Sequence, residues 1–285
     1  MRFFSAPPKN VLRRIVVTTS LFVAPTIFTA CGSPGSPIGN PKQVAPTVDQ
    51  VPAPSNSGSG STNTVTGPRV LLFNGTGTDT DVAAVESVLS TLKLSYATAN
   101  SSQLNAMTET KLKAYKLLIV PGGNSDTIAN NLSQATRAMV RATVQNDGLH
   151  YLGICAGAFF GSYQYGNGLD LTSGMWFNVW PNNGKGIVME AVKISFPKSS
   201  TLDIYWHDGP ETSGWGDIVA KYPDGTAAIA EGAYGKGFAI LSGVHPEAPA
   251  NWRSCCKFTT PLATDLAYAG SLVTAALNGT MLPHY

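Results

Sequence analysis

The chain has 285 residues, 43% of them hydrophobic, which supplies a sizeable core and marks a globular protein. Its 19 basic and 17 acidic residues leave a formal charge of +2, so the sequence carries no electrostatic footprint for nucleic acid or for an acidic partner. Four cysteines, at 31, 155, 255 and 256, are too few and too unevenly spaced for a disulfide-framework domain, and no CxxC pair suggests a zinc site.

Arg2, Lys9, Arg13 and Arg14 precede an uncharged, mostly apolar stretch from Ile15 to Ala30, the order of an export signal. That stretch has 16 residues, fewer than the roughly 20 an untilted membrane helix needs, and Pro25 interrupts it. It ends in Phe28-Thr29-Ala30-Cys31, which resembles a bacterial lipobox with Phe28 in place of the usual leucine. The resemblance implies a signal peptide over residues 1–30 and a lipidated Cys31 that anchors the mature protein to a membrane. From 31 to about 66 the composition shifts to Pro, Gly, Ser, Asn and Thr, a tether with little from which to build a core.

Residues 67–285 read as one domain. Arg69 to Asn74 is a short apolar run suited to an interior strand, and Asp81 to Lys93 has apolar residues at 82, 85, 88, 89 and 92, a helical period with Asp79 or Thr80 as cap. Ser95 to Ala99 and Lys116 to Val120 read as strands, the latter running into Pro121-Gly122-Gly123. A helix is expected from Ser125 to Asn146, ended by Asp147-Gly148, and then a buried strand from Leu149 to Ile154. This rhythm predicts an α/β fold with an open, mostly parallel sheet and helices on both faces. Beyond residue 165, shorter runs such as Ile187 to Phe196 look antiparallel. Phe238 to Val244 reads as a core strand and Pro261 to Leu277 as a closing helix.

In open parallel sheets, sites form at the carboxyl ends of strands, where PGG at 121–123, GICAG at 153–157 and HPE at 245–247 all fall. Gly153 and Gly157 flank Cys155 as in a nucleophile elbow, a sharp strand-to-helix turn that pushes the central side chain into the site. A buried inert cysteine is the plainer reading of an isolated residue of this kind. A thiolate attacking a carbonyl needs a base and oxyanion donors. His245 offers the base, Glu247 a carboxylate to orient it, and the backbone of Gly123 and Ala156, with Gly122 beside them, the oxyanion and substrate contacts. His207 is an alternative base in the loop YWHDGP, where Trp206 and Asp208 either line the site or pack. Trp176 and Trp180 pose the same question. Cys255 and Cys256 pair with each other, pair between chains, or remain thiols.

VPGG, a long helix, LGICAGAFFGS and then GVHPE resemble, in that order, class I glutamine amidotransferase-like domains over about residues 69–250. LHYLGICAGAFFGS, DIYWHDGPETSG and YGKGFAILSGVHPE are similar to the amidotransferase-like N-terminal domain of some biotin–protein ligases. The resemblance implies a flavodoxin-like fold and a triad of Cys155, His245 and Glu247. Glutamine-using members continue the elbow with a glutamine where this chain has Phe159, which argues against glutamine as substrate. There is no GxxxxGK sequence and no biotin-ligase loop. The expectation is a lipid-anchored hydrolase of an amide, peptide or related acyl bond, acting on a small molecule or peptide through a thioester, with no cofactor or metal. A non-catalytic binding or scaffold protein and a glutaminase are the alternatives.

Overall fold

The computed structural model describes residues 67–78, 81–181 and 183–285, so the signal segment, Cys31, the tether and the cap at Asp79 or Thr80 lie outside the described residues. The first half alternates β1 (Val70–Phe73), α1 (Asp81–Thr91), β2 (Tyr96–Ala99), the short helices α2 (Ser101–Asn105) and α3 (Glu109–Leu112), and β3 (Leu117–Val120). It continues through α4 (Ser125–Asn130), α5 (Gln134–Ala142), β4 (His150–Ile154) and α6 (Ala156–Gly161). After these come β5 (Asn178–Val179), β6 (Met189–Ile194), β7 (Leu202–His207), β8 (Pro210–Glu211), β9 (Asp217–Lys221), β10 (Ala227–Tyr234) and β11 (Gly237–Ser242), then α7 (Ala250–Arg253) and α8 (Leu262–Asn278).

The main sheet has seven strands in the order β2-β1-β3-β4-β11-β10-β9. The first five are parallel, and β10 and β9 add an antiparallel edge. With β11 in fifth place this is the flavodoxin-like order, whose crevice opens where the connections reverse direction. Strands β1, β3 and β4 are buried along their whole length, which is why β1 and β3 read as unbroken apolar runs and β4 departs from one only at His150.

Helices cover both faces. Val85, Val88 and Leu89 of α1 and Ala269, Leu272, Val273 and Ala276 of α8 pack on one face with Leu72, Ile119 and Ile154. Ile128 of α4, Val140 of α5 and Phe160 of α6 pack on the other with Leu71, Leu118 and Tyr151. Each fully buried Leu or Ile in these layers contributes about 1.5–3 kcal/mol. The antiparallel β6–β7 ribbon joins the α1–α8 side through Val192, Ile194 and Ile204.

The helix expected from Ser125 to Asn146 is broken. Asn131 caps the end of α4, and Ser133 starts α5 by accepting from the Thr136 N–H at 3.0 Å. Asn and Ser hydrogen-bond the backbone more readily at helix ends than in interiors, and that preference wins over the apolar period here. After α5, Thr143–Asp147 forms a π-helical turn closed by Gly148 at φ 76°, ψ 28°, the stop that Asp147-Gly148 signals. Among the described residues no helix is long and apolar enough to cross a membrane.

Candidate functional site

The site is assembled from the ends of parallel strands. β4 delivers Cys155 with φ 49° and ψ −106°, a conformation that side chains rarely adopt, immediately before α6. The turn is held from three directions. Cys155 N–H donates to the Ser242 carbonyl at 2.7 Å, Gly157 N–H to the Pro121 carbonyl at 3.1 Å, and the Tyr151 hydroxyl to the Gly157 carbonyl at 2.6 Å.

The two flanking glycines are required by contact. A Cβ at Gly153 would stand 2.4 Å from the Gly157 oxygen, and one at Gly157 would stand 1.9 Å from the Val120 oxygen. Helix α6 is therefore pressed against β3 and β4, and Cys155 and Ala156 line the cleft in front of it.

Past the end of β11, His245 is tied to β7 by its N–H donating to the Tyr205 carbonyl at 2.8 Å. Its Nδ1 lies 2.8 Å from Glu247 Oε1, with both side chains almost wholly buried. Burial alone would push the ring toward its neutral form. The Glu247 carboxylate and the Cys155 sulfur oppose this by charge and hydrogen bonding, and the His245 pKa is raised well above the ordinary value. The fixed hydrogen bond on Nδ1 leaves Nε2 as the nitrogen for proton exchange.

Gly123 and Ala156 both line the cleft in front of Cys155. Among the described residues neither backbone N–H meets a protein acceptor, as an oxyanion site requires. Gly123 sits at φ +130°, where a Cβ would meet the Gly77 oxygen at 1.8 Å. Gly122 is placed differently. It is buried beneath the site, and a Cβ there would strike Asp81 Oδ2 at 2.2 Å and His245 Cε1 at 2.6 Å. Its contribution is space for those two side chains.

His207 also borders the cleft, but its backbone carbonyl rather than its ring meets Cys155, 3.4 Å from Sγ. Burial, then the His245 charge, lowers the His207 pKa, so its ring is held neutral. Trp206 is fully buried and donates to the Gly209 carbonyl at 3.1 Å, a packing role. Trp180 stacks on Tyr222 with centroids 4.4 Å apart, whereas Trp176 is exposed. Cys255 and Cys256 are bonded to each other, leaving Cys155 the free cysteine among the described residues.

The cleft has a volume of about 540 Å³, room for a small molecule or a peptide end. Its walls include residues that the sequence motifs do not mark, Asp81, Asp126 and Trp252, and Tyr205 from within YWHDGP. Tyr205, Trp252 and His245 form an aromatic cluster with pairwise centroid distances of 5.8 Å. Asp81 was within reach of sequence reasoning, because it follows the loop at the carboxyl end of β1, where sites form in such sheets. Phe159 also lines the cleft, half-buried, where glutamine-using domains carry their glutamine. Among the described residues no group of three or more His, Cys, Asp or Glu is placed to hold a metal ion.

Sheet order and the placement of the candidate residues at strand ends define an α/β domain of flavodoxin-like fold. Residues 68–193 match the family model described as "Biotin-protein ligase, N terminal". The matched segment contains PGG and the Cys155 elbow, while His245 and Glu247 lie beyond it. Among solved structures, the chain is similar to PurLQS from Thermotoga maritima, at 16% identity over 73% of this chain and 99% of that one, with a TM-score of 0.48. It is also similar to a glutamine amidotransferase from Thermotoga maritima, at 14% identity over 75% of this chain and 90% of that one, with a TM-score of 0.42. No curated protein matches the chain in sequence.

Proposed function

We propose that this domain is a cysteine hydrolase of an amide, peptide or related acyl bond in a small molecule or peptide. The observation that carries the reading is the buried, hydrogen-bonded His245–Glu247 pair, with His245 and Cys155 lining one cleft. The Cys155 thiolate attacks the carbonyl carbon, and the N–H groups of Gly123 and Ala156 receive the oxyanion. His245 gives its Nε2 proton to the leaving nitrogen as the C–N bond breaks, leaving an acyl thioester on sulfur. Water then attacks the thioester with neutral His245 as base, releasing the acid and restoring the thiolate–imidazolium pair. Glu247 holds the ring and balances its charge throughout.

One feature favours this over a glutaminase: Phe159 stands where a glutamine-binding side chain is expected. We also propose that the domain is exported and anchored through a lipid on Cys31, a reading supported by the charged-then-apolar N-terminus and the Phe28–Cys31 segment. Labelled palmitate should enter the wild type and not a Cys31→Ser variant.

The test is an activated acyl probe with adducts located by peptide mapping. Wild type should be acylated at Cys155 and turn over; Cys155→Ser should lose the adduct, and His245→Ala should lose turnover and most labelling. Equal labelling in all three would make the domain a binding or scaffold protein on the same fold.

A further inference from the structure

Cys255 and Cys256 are bonded to each other directly after α7, at the surface of the domain, with Cys255 exposed and Cys256 half-buried. A disulfide stabilises a fold largely by restricting the unfolded chain, and the effect grows with the loop it closes. Between neighbours in sequence that loop is the shortest there is, so this bond adds little as a staple. Adjacency also holds the two Cα atoms 3.8 Å apart, the spacing of a trans peptide, whereas most disulfides span about 4.4–6.8 Å.

The turn that carries the bond is closed without it. The Cys255 N–H donates to the Trp252 carbonyl at 3.5 Å and the Cys256 N–H to the Arg253 carbonyl at 3.3 Å. Arg253 then clamps the chain on both sides of the bond. Its Nη1 donates to Asp265 Oδ2 at 2.6 Å and its Nη2 to the Thr260 carbonyl, and its guanidinium lies 4.1 Å over the Phe258 ring. Cleavage of the S–S bond therefore leaves the segment from 253 to 260 held at Arg253, Phe258 and Thr260. Cys256 also lines a surface hollow of about 270 Å³ with Arg253, Ser254 and Phe258, so a reagent has a way to the sulfurs.

We infer that Cys255–Cys256 is a redox-active site, an exchangeable disulfide that takes a dithiol reductant and opens while the domain stays folded. One thiolate of the dithiol attacks the exposed Cys255 sulfur, the Cys255–Cys256 bond breaks, and Cys256 leaves as a thiolate that takes up a proton. Lys257, next in the chain, supplies a positive charge that favours the departing thiolate. The second sulfur of the dithiol, having lost its proton, attacks the reagent sulfur of the mixed disulfide and releases Cys255 as a thiolate, which is protonated in turn. The reagent ends as a disulfide, and the protein as two thiols, richer by two electrons and two protons. Neither half of the bond lines the cleft, so this chemistry is independent of hydrolysis at Cys155.

The experiment compares reduction of the bond in the folded and the unfolded protein. The wild-type chain is treated with dithiothreitol in buffer and in concentrated urea, thiols are trapped with iodoacetamide over time, and residues 255 and 256 are followed by peptide mass. Attack on a disulfide sulfur is governed by access, so the folded protein should be reduced within about tenfold of the unfolded rate. A bond protected by the fold would react only as the chain unfolds, slower by about 10³-fold or more, and that result overturns the inference.

Two further measurements separate an exchangeable bond from a structural one. The double variant Cys255→Ser, Cys256→Ser should keep the urea midpoint of the wild type; a clear fall makes the bond a staple and overturns the inference. The folded, reduced protein should bind one phenylarsine oxide through its paired thiols, lose that binding in the double variant, and regain the disulfide when oxidised glutathione replaces the reductant. Thiols at 255 and 256 that resist reoxidation in the folded protein overturn it as well.

Discussion

His245 Nδ1 and Glu247 Oε1 lie 2.8 Å apart with 3% and 1% of their side chains exposed, an ion pair enclosed by protein. A buried pair of this kind is costly to break from one side, because the remaining charge has lost its partner. Glu247→Gln is expected to lower kcat/KM by about 10²-fold or more and to destabilise the domain by about 3 kcal/mol. The sign of the pH dependence follows from the raised His245 pKa. Stabilisation by the charged ring is fully present below the unfolded value of about 6.5 and is lost as pH rises through the raised folded value. The gap between wild type and Glu247→Gln in urea unfolding should therefore be widest between about pH 5 and 6.5 and shrink on the alkaline side. A gap that grows with pH would contradict the pairing.

Backbone strain at Cys155 gives a second expectation. At φ 49°, ψ −106° a residue with a side chain pays about 1–3 kcal/mol that glycine does not. Glycine ordinarily costs about 0.5–1 kcal/mol relative to alanine through unfolded-state freedom. At position 155 the order should reverse, with Cys155→Gly about 1 kcal/mol more stable than Cys155→Ala. Urea midpoints of the two inactive variants measure it. Alanine at least as stable as glycine would mean that the elbow stores no strain.

The parts of this fold that the sequence discloses are those encoded over short stretches. Leu117–Val120 is apolar on both faces because the strand is interior, and a four-residue window shows it. Cys155 with its glycines, and His245 with Glu247, are likewise local, so both halves of the candidate site are visible before the sheet brings them together. What stays hidden depends on distant segments. Tyr205 reaches the site because the β6–β7 ribbon folds over the end of β11, and Trp252 because α7 turns back toward His245. Trp252 carries no motif, and Tyr205 sits in YWHDGP with nothing local to mark it as a wall of the cleft. The break at Asn131–Ser133 was masked by an apolar period that continues through Leu132, although both flanking residues are good cap formers. Gly122 reads as a ligand contact in its motif, and that a Cβ there would strike Asp81 and His245 is something only contact distances reveal.

Gly157 tests how tightly the elbow is packed. A Cβ there would stand 1.9 Å from the Val120 oxygen and 2.7 Å from its carbon, both backbone atoms that cannot rotate away. Gly157→Ala is expected to cost about 3 kcal/mol or more, or to prevent folding. Gly184→Ala, where nothing lies within 4 Å, should change stability by no more than about 0.5 kcal/mol. Equal urea midpoints for the two variants would show that α6 is free to move off β3.

Glu231 supplies a pH effect remote from the site. It is fully buried on β10, where Oε1 accepts from the Leu282 N–H at 2.8 Å and Oε2 has no partner. Burial raises its pKa from 4.5 to about 7, partly opposed by the Leu282 hydrogen bond and by His284. The folded state thus holds this proton more tightly than the unfolded chain does. Stability is greatest below the unfolded value and declines as pH rises from there to about 7, where the folded carboxyl also ionises. Glutamine keeps the acceptor for Leu282 and removes the charge. Glu231→Gln should match wild type within about 0.5 kcal/mol at pH 5 and exceed it by on the order of 1–2 kcal/mol at pH 8, in urea unfolding at constant ionic strength. A variant less stable than wild type at pH 8 would mean that the fold favours the ionised Glu231 carboxylate rather than the neutral acid.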